Sequence, residues 1–91
     1  MAEAIEARVR GHVQAVGYRE FCRRAAQSMG ISGWVRNQPD GTVLVHAQGS
    51  AEDLATFTER LRQGPHFARV DAVDISPTEL QEVDSFEVRG W

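Results

Sequence analysis

The stretch Gly11-His12-Val13-Gln14-Ala15-Val16-Gly17-Tyr18-Arg19 combines low side-chain bulk with a terminal guanidinium. A strand-like alternation precedes it and a helix-like run follows it. Gly11, Gly17 and Ala15 leave room for backbone N–H groups to approach a ligand closely. Where a strand feeds a turn at a helix N-terminus, unpaired N–H groups and the positive end of the dipole point the same way. That arrangement is an anion site. Arg19 falls in the first helical turn, where its planar fork suits phosphate oxygens. The stretch has neither the Gly-Lys-Ser/Thr ending of a nucleotide phosphate loop nor G-x-G-x-x-G spacing. On residue types alone, a tight β-to-α connection with a solvated arginine stands beside the anion reading.

The other reactive side chains are less suggestive. His12, His46 and His66 fall on a loop, a strand and a post-helix turn, without metal-ligand spacing, so no metal site is expected. His12 sits in the loop, where a solvent-facing role is the default and a pH-tuning role the alternative. Cys22 reads as a core thiol, a small hydrophobe on the packed stripe of its helix. The carboxylates Glu3, Glu6, Glu20, Asp40, Glu52 and Asp53 form no catalytic pair. Trp34 reads as a packing residue. Arg8, Arg10, Arg23, Arg24 and Arg36 read as surface charges, with Arg36 also able to lend positive potential to a site beside it.

The elements that must position the loop follow from periodicity. Ile5, Ala7 and Val9 alternate with Glu6, Arg8 and Arg10, the pattern of a first strand with one packed face. Tyr18, Phe21, Cys22, Ala25 and Met29 recur at helical spacing, and Gly30 stops that helix. Residues 31–37 and 42–48 read as a hairpin around Pro39-Asp40-Gly41. Ser50, followed by Glu52 and Asp53, caps a second helix with a Leu54, Phe57 and Leu61 stripe, ended by Gly64-Pro65. A fourth strand covers residues 69–75 and Pro77 closes it. Phe86, Val88 and Trp91 suggest a short fifth. The expected fold is α+β: a ferredoxin-like βαββαβ sandwich, antiparallel, with two helices on one face and an added C-terminal strand.

With 91 residues, 42% hydrophobic and 25% charged, one ordinary globular domain over residues 1–91 is expected. A formal charge of −3 argues against a general nucleic-acid binder, yet leaves room for a small anion held by local N–H groups and one arginine. The N-terminus lacks the features of a signal peptide, and no apolar run reaches membrane-spanning length. A single cysteine fits a reducing cytosol. A cytoplasmic monomer without nucleic-acid or membrane partners is expected.

At this point two motifs carry a resemblance. Gly11-His12-Val13-Gln14-Ala15-Val16-Gly17-Tyr18-Arg19 resembles the acylphosphatase signature, G-x-V-Q-G-V-x-F-R. Gly33-Trp34-Val35-Arg36-Asn37 is similar to the family's second motif, G-W-V-x-N. The likeness covers nearly the whole chain. It implies a hydrolase that cleaves the carboxyl-phosphate bond of acyl phosphates to a carboxylate and inorganic phosphate, with no metal or organic cofactor. It implies phosphate binding by His12, Val13, Gln14, Ala15, Val16, Gly17, Tyr18 and Arg19. It places Arg19 on the phosphate and gives Asn37 the attacking water. The family's domain also opens a larger hydrogenase-maturation protein, but a chain ending at Trp91 leads us to expect a free-standing enzyme.

Two positions depart from the pattern: Ala15 replaces the usual Gly, and Tyr18 the usual Phe. A positive φ at Ala15 would make its methyl unfavourable by about 1 kcal/mol, whereas a negative φ would make it harmless. The alternative function is therefore a phosphate- or carbamoyl-phosphate-type anion-binding module with little turnover. An RNA-binding sheet is disfavoured, because the first strand offers Glu6, Arg8 and Arg10 and the third Leu44, His46 and Gln48, where exposed aromatics would be needed.

Overall fold

Seven elements follow one another: β1 (Glu3–His12), α1 (Tyr18–Met29), β2 (Ser32–Asn37), β3 (Val43–Gly49), α2 (Ala51–Gln63), β4 (Arg69–Pro77) and β5 (Phe86–Arg89). The computed structural model describes residues 2–90, so Trp91, expected near the last strand, lies outside the described residues. None of the described helices is long and apolar enough to cross a membrane. The strands form one sheet in the order β4-β1-β3-β2-β5. The first four pair antiparallel, as βαββαβ order requires.

The added strand corrects one expectation, because β5 pairs parallel with β2 and the sheet is mixed. The path explains the direction. β4 ends beside the start of β1, with Ile5 opposite Pro77. Residues 78–85 then cross the helix-free face, where the Thr78 N–H donates to the Ala4 carbonyl and the Gln81 N–H to Gln48 Oε1. The chain arrives at the start of β2, with Phe86 opposite Gly33, and can only run alongside it.

The core lies between the sheet and the two helices. Val9, Val35, Val43, Val45, Cys22, Phe57 and Leu61 are all fully buried there. The helix ends are set as their sequences suggest. Gly30 adopts φ 69° and its N–H donates to the last-turn carbonyls of α1, while Ser50 Oγ accepts the Asp53 N–H at 3.1 Å. The middle strand departs from simple alternation: Val43–Gln48 is buried on both faces, with Gln48 bonded to the 78–85 crossing and His46 stacked against Trp34 on the helix-free side.

Tyr18 does more than replace a phenyl ring. Its hydroxyl donates to the Leu61 carbonyl at 2.7 Å, tying the start of α1 to a carbonyl in the last turn of α2 that has no acceptor role within its own helix. Burial pushes the Tyr18 phenol above its ordinary range and does the same to the Cys22 thiol, so neither is an ionised nucleophile.

Candidate active site

β1 extends through His12, so the loop itself is shorter than the motif and covers residues 13–17. Gly11 belongs to the sheet rather than the cradle. A register shift between Arg10 and Gly11 leaves one extra residue on β4, and a Cβ on Gly11 would lie 2.0 Å from the Arg69 carbonyl oxygen. Its hydrogen lets two backbones meet. Gly33 in the second motif is constrained in the same way, since a Cβ there would sit 1.8 Å from the His46 carbonyl oxygen.

The loop turns on Ala15 and Gly17, at φ 61° and φ 80°. Ala15 is the one non-glycine residue with positive φ among the described residues. The question left open by the sequence is thereby answered: the methyl sits in the left-handed region, unfavourable by about 1 kcal/mol. Gly17 is the N-cap of α1, and the first intrahelical bond runs from the Phe21 N–H to the Gly17 carbonyl at 3.0 Å. The N–H groups of Tyr18, Arg19 and Glu20 precede that bond and have no acceptor inside the helix. They stand at the positive end of the dipole.

Val13, Ala15, Gly17, Tyr18, Arg19 and Glu20 line a cavity of about 260 Å³, together with Asn37 from the end of β2 and Val88 from β5. Val13 and Tyr18 are buried and form its floor, while Ala15 and Gly17 are exposed at its wall. Arg19 Nη1 donates to the Arg89 carbonyl at 3.2 Å, so the last strand helps to hold the guanidinium. The phosphate contact expected of Gln14 is through its backbone N–H, and its side chain serves the loop instead: Nε2 donates to the Gln38 carbonyl at 2.8 Å and to the Thr42 carbonyl at 2.9 Å. It staples the loop to the β2–β3 hairpin beside Asn37.

The other expected residues are distributed as follows. Val16 packs partly buried against the core, and His12 is exposed at the end of β1, opposite Arg69; neither side chain lines the cavity. Arg36 alternates away from Asn37, with its guanidinium 5.2 Å from the Trp34 ring centre on the opposite face of the sheet. It is therefore not the electrostatic neighbour its sequence position suggests. Two lining residues escape sequence reasoning. Glu20 looks like an ordinary helix-surface acid, and Val88 comes to the site only because β5 pairs with β2. The Glu20 carboxylate faces a fork from Arg23 (Nε at 2.8 Å, with Nη2 on the other oxygen) and Arg24 Nε at 3.2 Å. These guanidiniums hold it well below the usual carboxylate range, down to about 2.

A strand, a glycine-punctuated turn, a helix N-terminus, an arginine and an asparagine on an adjoining strand form a constellation with counterparts in known proteins. The family model described as Acylphosphatase matches residues 5–88. The chain belongs to the acylphosphatase family. It is 49% identical over 89 residues to an acylphosphatase of Leuconostoc mesenteroides subsp. mesenteroides, an alignment covering 97% of this chain and 99% of that one. To an acylphosphatase of Archaeoglobus fulgidus it is 42% identical over 85 residues, covering 93% and 96%. The crystal structure of acylphosphatase from Bacillus subtilis superposes with a TM-score of 0.93 at 30% identity, covering 99% of this chain and all of that one. As an acylphosphatase, the enzyme hydrolyses the carboxyl-phosphate bond of acyl phosphates to a carboxylate and inorganic phosphate.

Proposed function

We propose that the 13–17 loop, the first-turn amides of α1 and Arg19 bind the phosphoryl group, and that Asn37 aims the attacking water at phosphorus. The observation that carries this reading is convergence: Arg19 and Asn37, from different elements, line one cavity with the loop. The water oxygen attacks phosphorus while the bond from phosphorus to the acyl oxygen breaks. The electron pair leaves with the carboxylate, a good leaving group that needs no general acid. The transition state spreads charge over the equatorial phosphoryl oxygens, where amides and a guanidinium stabilise it best. A carboxamide offers one acceptor and two donors, which suits holding a neutral water but not deprotonating it. A phosphoryl oxygen of the substrate takes the water's proton.

Of the loop residues expected to bind phosphate, Val13, Ala15, Gly17, Tyr18 and Arg19 act in the cavity wall. Gln14 and Val16 act by fixing the loop, and His12 stands outside. No step calls for a Lewis acid, because Arg19 and the helix terminus supply the positive potential, and we take the reaction to be independent of metal and organic cofactors. We also take the chain to be one domain that works as a cytoplasmic monomer on small acyl phosphates, apart from nucleic acid and membrane. The reduced, buried Cys22 fits that compartment. Among the described residues, the buried Trp34, His46 and Leu44 offer no exposed aromatic platform for RNA on the helix-free face.

The test is hydrolysis of benzoyl phosphate with EDTA present. Turnover persists in the chelator, falls by about three orders of magnitude in Arg19→Ala, and falls by at least about two in Asn37→Ala with inorganic phosphate still bound. Full turnover in Asn37→Ala would remove the water-positioning role.

A further inference from the structure

The cavity is larger than a phosphoryl group needs. A tetrahedral phosphoryl group takes the room of about two or three waters, at roughly 30 Å³ each. The cavity measures about 260 Å³. Its lining side chains divide by chemistry. Arg19 and Asn37 are accounted for by phosphate and water, and Val13 and Tyr18 are buried in the floor. Glu20 is engaged by Arg23 and Arg24, which largely offset its charge. Val88 is different: it is a large apolar side chain left 41% exposed at the cavity edge.

Its setting makes that exposure specific. The neighbours of Val88 along β5, Glu87 and Arg89, pair with each other, and Arg89 lies over the Trp34 ring on the helix-free face. Val88 alternates to the other face and sits opposite the fully buried Val35. By register it stands two residues before the level of Asn37 and one strand outward, so it forms a wall distinct from the water site. An apolar wall does nothing for a phosphate dianion.

We propose that Val88 is the acyl-group contact of this enzyme, forming with the open edge of the cavity a small subsite for uncharged, apolar acyl groups. This rests on the site reading above. Burying Val88 against a phenyl ring removes apolar surface from water on both partners, whereas an acetyl group covers much less of it. Val88 is then a specificity determinant: it separates large apolar acyl phosphates from small or polar ones without touching phosphorus.

The experiment compares kcat/KM for benzoyl phosphate and acetyl phosphate in the wild type, Val88→Ala and Val88→Thr, with the inhibition constant of inorganic phosphate measured in parallel. The benzoyl-to-acetyl ratio should fall about three- to fivefold in both variants, mainly through KM for benzoyl phosphate. The phosphate constant should stay within about twofold of the wild type. Adding 0.5 M salt should leave the ratio change intact, because the contact is apolar. An unchanged ratio overturns the proposal. So does an equal loss on both substrates with weakened phosphate binding, which would mean that Val88 acts only by holding β5 and, through the Arg89 carbonyl, Arg19. Failure of the underlying site reading looks different: Arg19→Ala would then retain phosphate binding and turnover on both substrates.

Discussion

The two faces of β2 do different work. On the helix side, Val35 is packed into the core and Asn37 opens onto the cavity. On the other side, Trp34 lies in a closed stack. It is parallel to His46, with 5.8 Å between ring centres, and beneath the guanidiniums of Arg36 and Arg89 at 5.2 and 5.3 Å. Its indole N–H donates to Gln81 Oε1 at 2.9 Å, and Gln48 Oε1 lies 2.7 Å from His46 Nε2 and also accepts the Gln81 N–H. The indole N–H, His46 Nε2 and the Gln81 N–H each have a partner, as a rigid clasp requires. The near side has the opposite character: an alanine held at φ 61° and a helix N-terminus with no side-chain cap. A five-residue motif that reads as one unit is split by the period of a strand into a structural half and a chemical half. One residue joins them, because Arg89 gives its carbonyl to Arg19 and its side chain to Trp34.

Substitutions on the two faces should therefore fail in different ways. The largest expected effect is at Gly33, where a methyl would overlap the His46 carbonyl at 1.8 Å with φ at 149°. The atoms it would meet are all β3 backbone, which cannot swing aside as a side chain could, and Gly33→Ala should lose about 4 kcal/mol of stability or fail to fold. A urea midpoint near that of the wild type would contradict the close approach. Next is Trp34→Ala, which removes the stack and strands Gln81, for about 3 kcal/mol. If the faces are independent, kcat of the folded fraction stays within about threefold. A tenfold fall in kcat would show instead that the clasp reaches Arg19 through Arg89.

This division explains what could and could not be read from the chain. The period-two pattern of residues 5–9, the helical stripe from Tyr18 and the caps at Gly30 and Ser50 are local signals, and the corresponding elements lie where those signals put them. The turn between β1 and α1 was legible because a strand, a turn and a helix N-terminus are contiguous in sequence. Long-range pairing was not. The parallel docking of β5 depends on the 78–85 crossing, which carries no periodic signal, and that docking brings Val88 to the cavity. The motif also overstated the loop. Gly11 answers to a bulge against β4, and Gln14 to the hairpin carbonyls, both set by neighbours far away in the chain.

Two smaller predictions probe the strained side. Ala15→Gly relieves a left-handed methyl of about 1 kcal/mol and adds back unfolded-state freedom of about 0.5–1, so stability should rise slightly, by up to about 0.5 kcal/mol. Thermal unfolding reads this directly, and a clear loss would mean that the methyl packs usefully in the loop. The same variant reports on function: faster turnover would show that the alanine holds the cradle off its best geometry, and slower turnover that it stiffens it.

The smallest effect concerns Glu20, an acid exposed at the cavity rim. Its carboxyl is lowered from 4.5 to about 2, first by the hydrogen bonds from Arg23. A depressed folded-state value means that the ionised form favours folding. That contribution is complete above the unfolded value and is lost as pH falls from about 4.5 towards 2. Glu20→Gln should therefore flatten the acid limb of a stability-against-pH curve within that window and leave the slope above pH 5 alone. Salt should shrink the difference between the two proteins, since all three partners face solvent. Superimposable acid limbs would mean that the fork contributes nothing to folding. Glu20 would then matter only for what it does to the charge beside the phosphate, a change that the inhibition constant for inorganic phosphate in the same variant would register.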